Sequence, residues 1–341
     1  MKCILAEAEQ ERHYPTSYLV NGVMQQNPER PERIARLKAG AIAAGLKLER
    51  PTEYGLSAIA AVHSPEYLKF LEGAYARWRR IEGASPAVTP NVHAPRRGGA
   101  YPASVVAQAG YHMADLACPV SAETWESALW SAWSAIHAAD LVRHGERAAY
   151  ALSRPPGHHA SHDLAGGFCY LNNTAIAAQR LRETYARVAI LDVDLHHGNG
   201  TQEIFYARKD VLTVSLHADP MRFYPFFWGH AHERGEGDGL GYNLNLPLPR
   251  GTKDDVFLAN LDIALATVKA FAPDALVIAL GLDSFEGDPI AGLGISTKGF
   301  AAIGEKIAEA IKAPTVIVQE GGYPCEELGG NLTAFLSGNY N

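Results

Sequence analysis

The sequence predicts a single α/β domain with a central, largely parallel sheet covered by helices on both faces. Three observations support this fold class. Short apolar runs typical of buried parallel strands alternate with segments of helical periodicity along the second half of the chain. Each of these runs is followed by polar, glycine-rich sequence. No internal repeat or obvious linker divides the 341 residues, so we expect one domain over residues 1–341.

The predicted strands are short runs of aliphatic and β-branched residues, which are typical of strands buried on both faces of a sheet. In chain order they are residues 148–152, 188–193, 211–216, 275–280 and 315–318. Because helical segments separate them, each connection can cross one face of the sheet and return the chain to its starting edge. Such a sheet is largely parallel.

The predicted helices space their apolar residues three and four positions apart, as one face of a helix requires. They are residues 27–46, 124–145, 173–186, 254–271 and 299–312. Short polar side chains at a helix start accept hydrogen bonds from the first free N–H groups. The expected N-caps of the last three helices are therefore Asn173, Asp254 or Asp255, and Thr297.

One segment follows neither pattern. Residues 79–120 carry several prolines and glycines and no clear period. A long irregular segment in a compact domain is typical of a functional or interface loop.

Composition favours a cytoplasmic globular protein. Hydrophobic residues make up 47% of the chain and charged residues 20%, and the net charge of −7 is spread without long runs of one sign, so nucleic acid is not an expected partner. The start, MKCILAEAEQER, turns polar too early for a signal peptide, and no later apolar run is long enough to span a membrane. The four cysteines form no Cys-x-x-Cys pair, so neither a disulfide framework nor a thiolate zinc site is expected.

Residues with catalytic or metal-binding side chains follow each predicted strand. The five stretches are SRPPGHH, DVDLHHGNG, SLHADP, GLDSFEGDP and QEGGYP. The carboxyl ends of parallel strands lie at one edge of the sheet, and ligands bind there. The sequence therefore predicts a single site built from His, Asp, Glu and Tyr side chains.

The second stretch predicts a metal site. Asp192, Asp194 and His196 alternate along an extended segment and so share one face. Asp283, at the end of another strand, is the expected third ligand beside Asp194 and His196. Two carboxylates and one imidazole leave positions open on a divalent ion, as a catalytic zinc site requires. The alternative is that these side chains only cap turns and fill space, but Asp-x-Asp-x-His-His at a strand end is more specific than that.

The histidine pair of RPPGHH lies where two prolines and a glycine exclude a helix, so His158 and His159 can point to one place. Hydrolysis at a metal needs a base that takes a proton from water and an acid that protonates the departing amine, and this pair can supply both. Asp192 and Asn199 are the nearest candidates to orient the two rings. Tyr323 follows two glycines, which let the backbone bring its hydroxyl to a developing oxyanion.

These stretches together resemble the family of histone deacetylases and acetylpolyamine amidohydrolases, within the wider arginase-like α/β fold. RPPGHHA, GGFCYLNN, LDVDLHHGNGTQEIFY, VSLHADP, GLDSFEGDP and EGGY fall in the family's order over about residues 150–325. The N-terminal stretches HYPTSYLVNG and NPERPERI are similar to those of bacterial acetylpolyamine amidohydrolases. The resemblance implies one zinc ion per chain, with zinc ligands Asp194, His196 and Asp283, proton-transfer residues His158 and His159, and the oxyanion donor Tyr323.

The resemblance also implies positions for the substrate and for monovalent cations. Phe168 and Tyr224, with Gly167 beside them, match the aromatic walls of a narrow tunnel for an acyl-lysine-like substrate. Two potassium sites are expected from the same resemblance. The first comprises Asp192, Asp194, His196, Ser215 and Leu216, and the second comprises Phe205, Arg208, Val211 and Tyr242.

Three positions depart from the family pattern. Asn199 stands where many members have aspartate, which leaves its histidine partner less basic. Val106 and Ala117 stand where polyamine-selective members place acidic residues, so attraction of a polycation through these positions is in doubt. The residues that could replace those charges are Asp115, Glu286 and Asp288.

The predicted function is a zinc-dependent amidohydrolase that removes acetyl or short acyl groups from acylated amines, such as acetylpolyamines, acetyl-diamines or acetyl-lysine-like compounds. By similarity to the acetylpolyamine enzymes, the segment 79–120 is expected at the tunnel mouth and at the interface of a homodimer. Two alternatives stay open. One is a two-manganese ureohydrolase on the same fold, and the other is a catalytically silent binding protein for acylated amines.

Overall fold

The central feature of the fold is one large parallel sheet. The computed structural model of the chain describes residues 1–94, 100–338 and 340. Its strands in these residues are β1 (Lys2–Ile4), β2 (Ser17–Val20), β3 (Val23–Gln26), β4 (Lys47–Glu49), β5 (Ala148–Ala151), β6 (Val188–Asp192), β7 (Val211–Ala218), β8 (Asn243–Leu248), β9 (Ala275–Leu280) and β10 (Thr315–Gln319). Eight of them form a sheet in the order β4–β1–β5–β10–β9–β6–β7–β8, with each neighbouring pair parallel. The predicted α/β fold class is confirmed.

Helices pack on both faces of this sheet. In the described residues they are α1 (Glu7–Gln10), α2 (Glu32–Ala43), α3 (Ser57–Ala60), α4 (Pro65–Trp78), α5 (Val105–His112), α6 (Thr124–Arg143), α7 (Asn173–Arg182), α8 (Asn199–Phe205), α9 (Asp254–Phe271), α10 (Thr297–Ala310) and α11 (Leu328–Leu336). Residues of β6 alternate between two buried clusters: Val188 and Ile190 belong to one cluster with α4 to α7, and Ala189 and Leu191 to the other with α2, α9, α10 and α11. Strand periodicity thus divides the core into two layers.

The five strands predicted from the sequence correspond to β5, β6, β7, β9 and β10, with ends that differ by a few residues at most. Strands β1 and β4 were not predicted, because three residues are too few to show a period. It also missed β8, whose Asn243 and Asn245 are buried polar residues in an otherwise apolar strand. These three strands lie at or next to the edges of the sheet.

A separate hairpin was not identified from the sequence. Strands β2 and β3 pair antiparallel, with Val20 opposite Val23. The two residues between them, Asn21 and Gly22, have φ values of 50° and 79°. Asn-Gly with two positive φ angles is the preferred two-residue turn of a hairpin, because its twist matches that of the strands.

The five predicted helices are present, but their expected N-caps were wrong by one residue. The side chain of Asn172, not Asn173, accepts the N–H of Ala175 at the start of α7. Likewise Ser296, not Thr297, caps α10 by accepting the N–H of Gly299. The neighbouring polar residues gave equally good sequence signals, and only the backbone geometry separates them.

At the start of α9 neither predicted aspartate caps its own helix. Lys253 occupies the N-cap position and makes no side-chain cap hydrogen bond. The carboxylate of Asp254 instead accepts hydrogen bonds from the backbone N–H and the hydroxyl of Ser296. Asp254 therefore joins the starts of α9 and α10.

The prediction that residues 79–120 form one long irregular loop was wrong in part. Helix α5 lies within this segment and buries Val105, Gln108 and Ala109 among other residues. Val88 and Val120 exchange two backbone hydrogen bonds, of 2.9 and 3.1 Å, and are fully buried. Much of the segment is therefore part of the core, while its residues 95–99 lie outside the described part of the chain.

Cys3, Cys118, Cys169 and Cys325 are free thiols, and the first three are buried. Burial raises the pKa of Cys3 to about 12, so its thiol stays protonated. None of the helices in the described residues combines the length and the apolar character needed to cross a bilayer.

Candidate metal and catalytic site

The carboxyl ends of neighbouring strands bring together three metal-binding side chains. Asp194 and His196 follow β6, and Asp283 follows β9, which pairs with β6. His196 Nδ1 lies 3.2 Å from Asp194 Oδ1 and 3.1 Å from Asp283 Oδ2. We call these three residues the metal triad. In the described part of the chain, it is the one group of three His, Cys, Asp or Glu side chains whose ligand atoms all lie within 4.8 Å of one another.

The triad's residues fit a divalent metal ion. Asp283 is fully buried, and its Oδ2 has no hydrogen-bond partner among the described residues. A buried carboxylate oxygen of this kind is costly unless a cation or a donor satisfies it. Burial tends to lower the pKa of His196, but the adjacent carboxylates of Asp194 and Asp283 raise it to about 9, which reflects their attraction for positive charge. One nitrogen and two carboxylate oxygens match a catalytic zinc donor set.

Two glycines make room for these carboxylates. A Cβ atom at Gly281 would lie 2.1 Å from Asp194 Oδ2, and one at Gly321 would lie 2.3 Å from Asp283 Oδ2. The N–H of Gly321 also donates to Asp194 Oδ2 over 2.7 Å. The backbone of Gly321, just after β10, therefore holds Asp194 in place. Neither glycine position has space for a larger residue.

The two adjacent histidines have different partners. His158 Nδ1 lies 2.9 Å from Asp192 Oδ2, and its Nε2 lies 3.7 Å from Asp194 Oδ1. His159 Nδ1 lies 2.7 Å from Asn199 Oδ1, and the centres of the two histidine rings are 4.1 Å apart. One imidazole is thus oriented by a carboxylate and the other by a neutral amide, as predicted from the sequence.

The pKa values of the two histidines lie far apart. Burial would lower the pKa of His158, but the charges of Asp194 and Asp192 outweigh it and raise the pKa to about 10. For His159 burial and the neighbouring charges of His158 and His196 lower the pKa well below its usual value. Such a pair offers a charged and an unprotonated imidazole at the same pH, which suits acid and base roles.

Tyr323 lies on the loop that follows β10. Its ring is buried and lies 5.8 Å from the ring of Phe168. Its backbone N–H donates to Asp288 Oδ2 over 2.9 Å, and Gly322 before it has a φ of 108°, which L-residues rarely adopt. Burial raises the pKa of Tyr323 well above 10, so the phenol keeps its proton and can donate it in a hydrogen bond.

Comparison with known proteins establishes the family. A model of the histone deacetylase domain matches residues 27–338. This chain belongs to the histone deacetylase family. It is 50% identical over 331 residues to an acetylpolyamine amidohydrolase of Burkholderia pseudomallei (strain 1710b), covering 97% of this chain and 96% of that protein. It is 40% identical over 340 residues to the acetylpolyamine amidohydrolase of Mycoplana ramosa, covering 99% of both.

A solved structure supports the same relationship. The crystal structure of an acetylpolyamine aminohydrolase from Burkholderia pseudomallei, from an iodide soak, superposes with a TM-score of 0.95 at 48% sequence identity. The match covers 100% of this chain and 99% of that one. The described residues therefore have the α/β fold of the histone deacetylase family.

Aromatic side chains of this family member surround the histidines. Tyr224 lies 5.0 Å from the ring of His159, and Phe168 contacts Tyr323 on the other side. A Cβ atom at Gly167 would lie 2.4 Å from the His159 ring, so only glycine fits there. The three residues predicted to line a tunnel therefore lie beside the catalytic candidates.

Two further aromatic residues at the site were missed by sequence reasoning. Tyr18, on the β2–β3 hairpin, lies 5.4 Å from Phe168, and Phe223 lies 5.4 Å from His196. Phe223 stands next to Tyr224 in the stretch RFYPF, so proximity along the chain was a usable signal. Tyr18 carries no such signal, because the hairpin is far from the strand ends in sequence.

Some of the residues expected at the two potassium sites are in contact. At the first, Asp192 and Ser215 are paired across β6 and β7. At the second, the N–H of Arg208 donates to the carbonyl of Phe205, and the N–H of Thr213 donates to the carbonyl of Tyr242. The first of these contacts lies at the end of α8, and the second joins β7 to the residue before β8.

Two of the three candidate acids for a cationic substrate are already engaged. Asp115 accepts hydrogen bonds from the Tyr224 hydroxyl at 2.7 Å and from the backbone N–H groups of Gly167 and Ala117. Asp288 is buried against the Tyr323 loop, and burial raises its pKa to about 7. Glu286 is the exposed member of the three. Asp115 thus supports a tunnel wall and Asp288 supports the tyrosine loop.

Proposed function

We propose that this protein is a zinc-dependent amidohydrolase that removes acetyl or other short acyl groups from acylated amines. The observation that carries the proposal is the convergence of the metal triad with the histidine pair and Tyr323 at one edge of the sheet. Family membership supports it, since relatives of 50% and 40% identity are named acetylpolyamine amidohydrolases.

The metal triad would hold the zinc ion, and the side chains around it would handle protons. Zinc at such a site lowers the pKa of water and polarises a carbonyl group. His159, oriented by a neutral amide, fits the base that accepts a proton from water. His158, held charged by Asp192, fits the acid that protonates the departing amine. The hydroxyl of Tyr323 would donate a hydrogen bond to the oxyanion of the former carbonyl.

The walls of the tunnel support a slim substrate. Tyr224 lies 5.0 Å from the ring of His159 and Phe168 lies 5.8 Å from the ring of Tyr323, and aromatic rings at these two positions favour a narrow substrate. We propose acetylated diamines such as acetyl-putrescine and acetyl-cadaverine as preferred substrates over acetyl-spermine. Each further ammonium group of a polycation needs an acidic partner, and Val106, Ala117 and the engaged Asp115 offer none.

A panel of acetylated diamines, acetyl-spermine, acetyl-lysine peptides and longer acyl analogues, assayed with the zinc-loaded enzyme, tests this function. We expect release of acetate, loss of turnover when a chelator removes zinc, and higher kcat/KM for acetyl-diamines than for acetyl-spermine. Binding without turnover would instead indicate the silent binding protein. Two manganese ions per chain with release of urea would indicate the ureohydrolase.

We also propose potassium ions at the two expected sites and a homodimer as the assembly. The proximity of Asp192 to Ser215, and of Phe205 to Arg208, supports the cation sites. Exposed apolar residues of the β2–β3 hairpin, beside residues 85–89 and 116–121, support the interface. Location in the cytoplasm stays a prediction from the sequence.

A further inference from the structure

A buried acid outside the metal triad connects two halves of the site. Glu320 is the residue after β10 and is fully buried. Its Oε2 accepts hydrogen bonds from the backbone N–H groups of Gly157, at 2.6 Å, and His158, at 3.0 Å. Its Oε1 accepts the hydroxyl of Thr174 at 2.6 Å. Three donors thus bind the two carboxylate oxygens of Glu320, and we call Gly157, His158 and Thr174 the socket of this side chain.

The backbone of the same residue is fixed on the other side. The N–H of Glu320 donates to the carbonyl of Leu280 at the end of β9, and its own carbonyl accepts a hydrogen bond from the Arg33 guanidinium. Gly321, which follows it, holds Asp194, and Tyr323 lies two residues further on. The side chain of Glu320 thus binds the histidine turn while its backbone belongs to the tyrosine loop.

The histidine turn depends on this contact. The carbonyl of His158 accepts the N–H of Thr201, so Glu320 and Thr201 hold the backbone of this residue from opposite sides. Without an acceptor at Glu320, two buried N–H groups would be left without a partner, which destabilises the turn. The turn would shift to recover hydrogen bonds, and both imidazoles would move with it.

We propose that Glu320 is a positioning residue that fixes the His158–His159 turn relative to the Tyr323 loop. This inference rests on the proposed function, because it assigns Glu320 to the geometry of that reaction. It acts through its two acceptor oxygens. Its effect is on the position of the two histidines, because the hydrogen bonds of its side chain go to Gly157, His158 and Thr174.

The decisive variants are Glu320→Leu and Glu320→Gln. Leucine is of similar size but accepts no hydrogen bond, so kcat should fall about 10- to 100-fold, as misplacement of catalytic groups by about 1 Å causes. KM and zinc content should stay at wild-type values. Glutamine can direct its carbonyl oxygen to both N–H groups and its NH₂ group to the Thr174 hydroxyl, so it should restore most of kcat.

A matched control separates positioning from a general loss of packing. Thr174→Val removes one buried hydroxyl hydrogen bond at the socket, and Thr213→Val removes one of the same 2.6 Å length, to Asn243, elsewhere in the sheet. We expect a severalfold loss of kcat in Thr174→Val alone, with similar melting temperatures for both. If Glu320→Leu does not fold, this pair decides the question, and equal kcat values in the two variants would overturn the proposal.

Other outcomes are equally clear. Wild-type kcat in Glu320→Leu, or equal losses of kcat in the leucine and glutamine variants, would overturn positioning by hydrogen-bond acceptance. Absence of hydrolysis by the wild type would count against the proposed function alone. In that case the NMR signal of the His158 Nδ1 proton in metal-free protein tests Glu320. It should move in the leucine variant and not in the glutamine variant, and an unmoved signal in both would refute the role.

Discussion

Tyr323 differs from phenylalanine by one hydroxyl group, and that hydroxyl is the group assigned to the oxyanion. Tyr323→Phe keeps the buried ring and its contact with Phe168. We expect kcat to fall by roughly 100-fold with little change in KM, which is the scale of losing one oxyanion donor. Steady-state kinetics with an acetylated diamine measure both constants. A large rise in KM at wild-type kcat would assign the hydroxyl to substrate binding instead.

Asn199→Asp tests the assignment of His159 by its pH profile. An aspartate would place a carboxylate where the amide oxygen now lies 2.7 Å from His159 Nδ1. The negative charge favours the imidazolium form, so the pKa of His159, which burial holds well below its usual value, should rise. A base that must be unprotonated then becomes active only at higher pH. We expect the acidic limb of the kcat/KM profile to move to higher pH, and an unmoved limb would assign the base elsewhere, first to His158.

At the residue scale, the sequence was sufficient to predict a site residue wherever that residue directly follows a predicted strand. Asp194, His196 and Tyr323 follow predicted strands, so parallel-sheet topology alone gathers them. Glu320 stands in one of the same stretches, QEGGYP, but its role depends on Gly157 and Thr174, which only the order of strands in the sheet brings near. Contacts that depend on the neighbour in space rather than in sequence could not be predicted.

At the scale of elements, the loop after β10 allows a test of the metal triad through its glycine. Gly321→Ala adds a methyl group that would lie 2.3 Å from Asp283 Oδ2 and 2.6 Å from Asp194 Oδ2, so both carboxylates must move. We expect strongly reduced zinc content, measured by elemental analysis, with the fold retained by circular dichroism. Zinc binding depends on ligands held in place.

The matched control is Gly330→Ala in helix α11, where an added Cβ atom meets nothing within 4 Å. Alanine is favoured over glycine inside a helix, so this variant should be as stable as the wild type or slightly more so. It should keep its zinc. Full zinc occupancy in Gly321→Ala would contradict the placement of the metal between Asp194 and Asp283.

The elements themselves were predictable in proportion to their length and burial. Strands such as β6, whose five residues are all buried, are continuous apolar runs and are visible in the sequence. Strands β1 and β4 have three residues each and become strands only because β5 and β1 present open edges to them. Helix α5 was hidden within the proline- and glycine-containing segment 79–120, since eight residues give little more than two turns of periodicity.

For the whole molecule, a buried neutral histidine links stability to pH. His63 is fully buried, and its Nε2 accepts the N–H of Asn172. Burial lowers its pKa from 6.5 to about 4, so protons bind the unfolded chain more readily than the folded one between these values. Its contribution is complete above pH 6.5 and is lost as the pH falls towards 4, by up to about 1.4 kcal/mol per pH unit.

The variant His63→Gln removes this titration. Although glutamine at a buried site lowers the overall stability, its free energy of unfolding should fall less steeply than that of the wild type between pH 6.5 and pH 4. Denaturant unfolding of the metal-free proteins at several pH values measures the difference. His144→Gln, at an exposed position, is the control and should keep the wild-type slope. Equal slopes for His63→Gln and the wild type would show that His63 does not make this contribution.

Exposed apolar residues on the β2–β3 hairpin bear on how the whole molecule assembles. Val23 and Met24, on the β2–β3 hairpin, are 60% and 61% exposed, and Leu19 opposite Met24 is exposed as well. Adjacent exposed apolar side chains on a hairpin with open edges favour contact with another chain. The hairpin borders residues 85–89 and 116–121 of the segment expected at the interface. We therefore expect a homodimer in sedimentation velocity at micromolar concentration, and a monomer for Met24→Lys.

Ile263→Lys is the control, because Ile263 is 52% exposed on α9, which packs against β6, β7 and β8 at the other end of the sheet. This variant should remain a dimer. Since Tyr18 on the hairpin contacts Phe168 of the tunnel, loss of the partner should also loosen the tunnel wall and raise KM while zinc content stays unchanged. A wild-type monomer would contradict the dimer itself, and a dimeric Met24→Lys would move the interface to another surface.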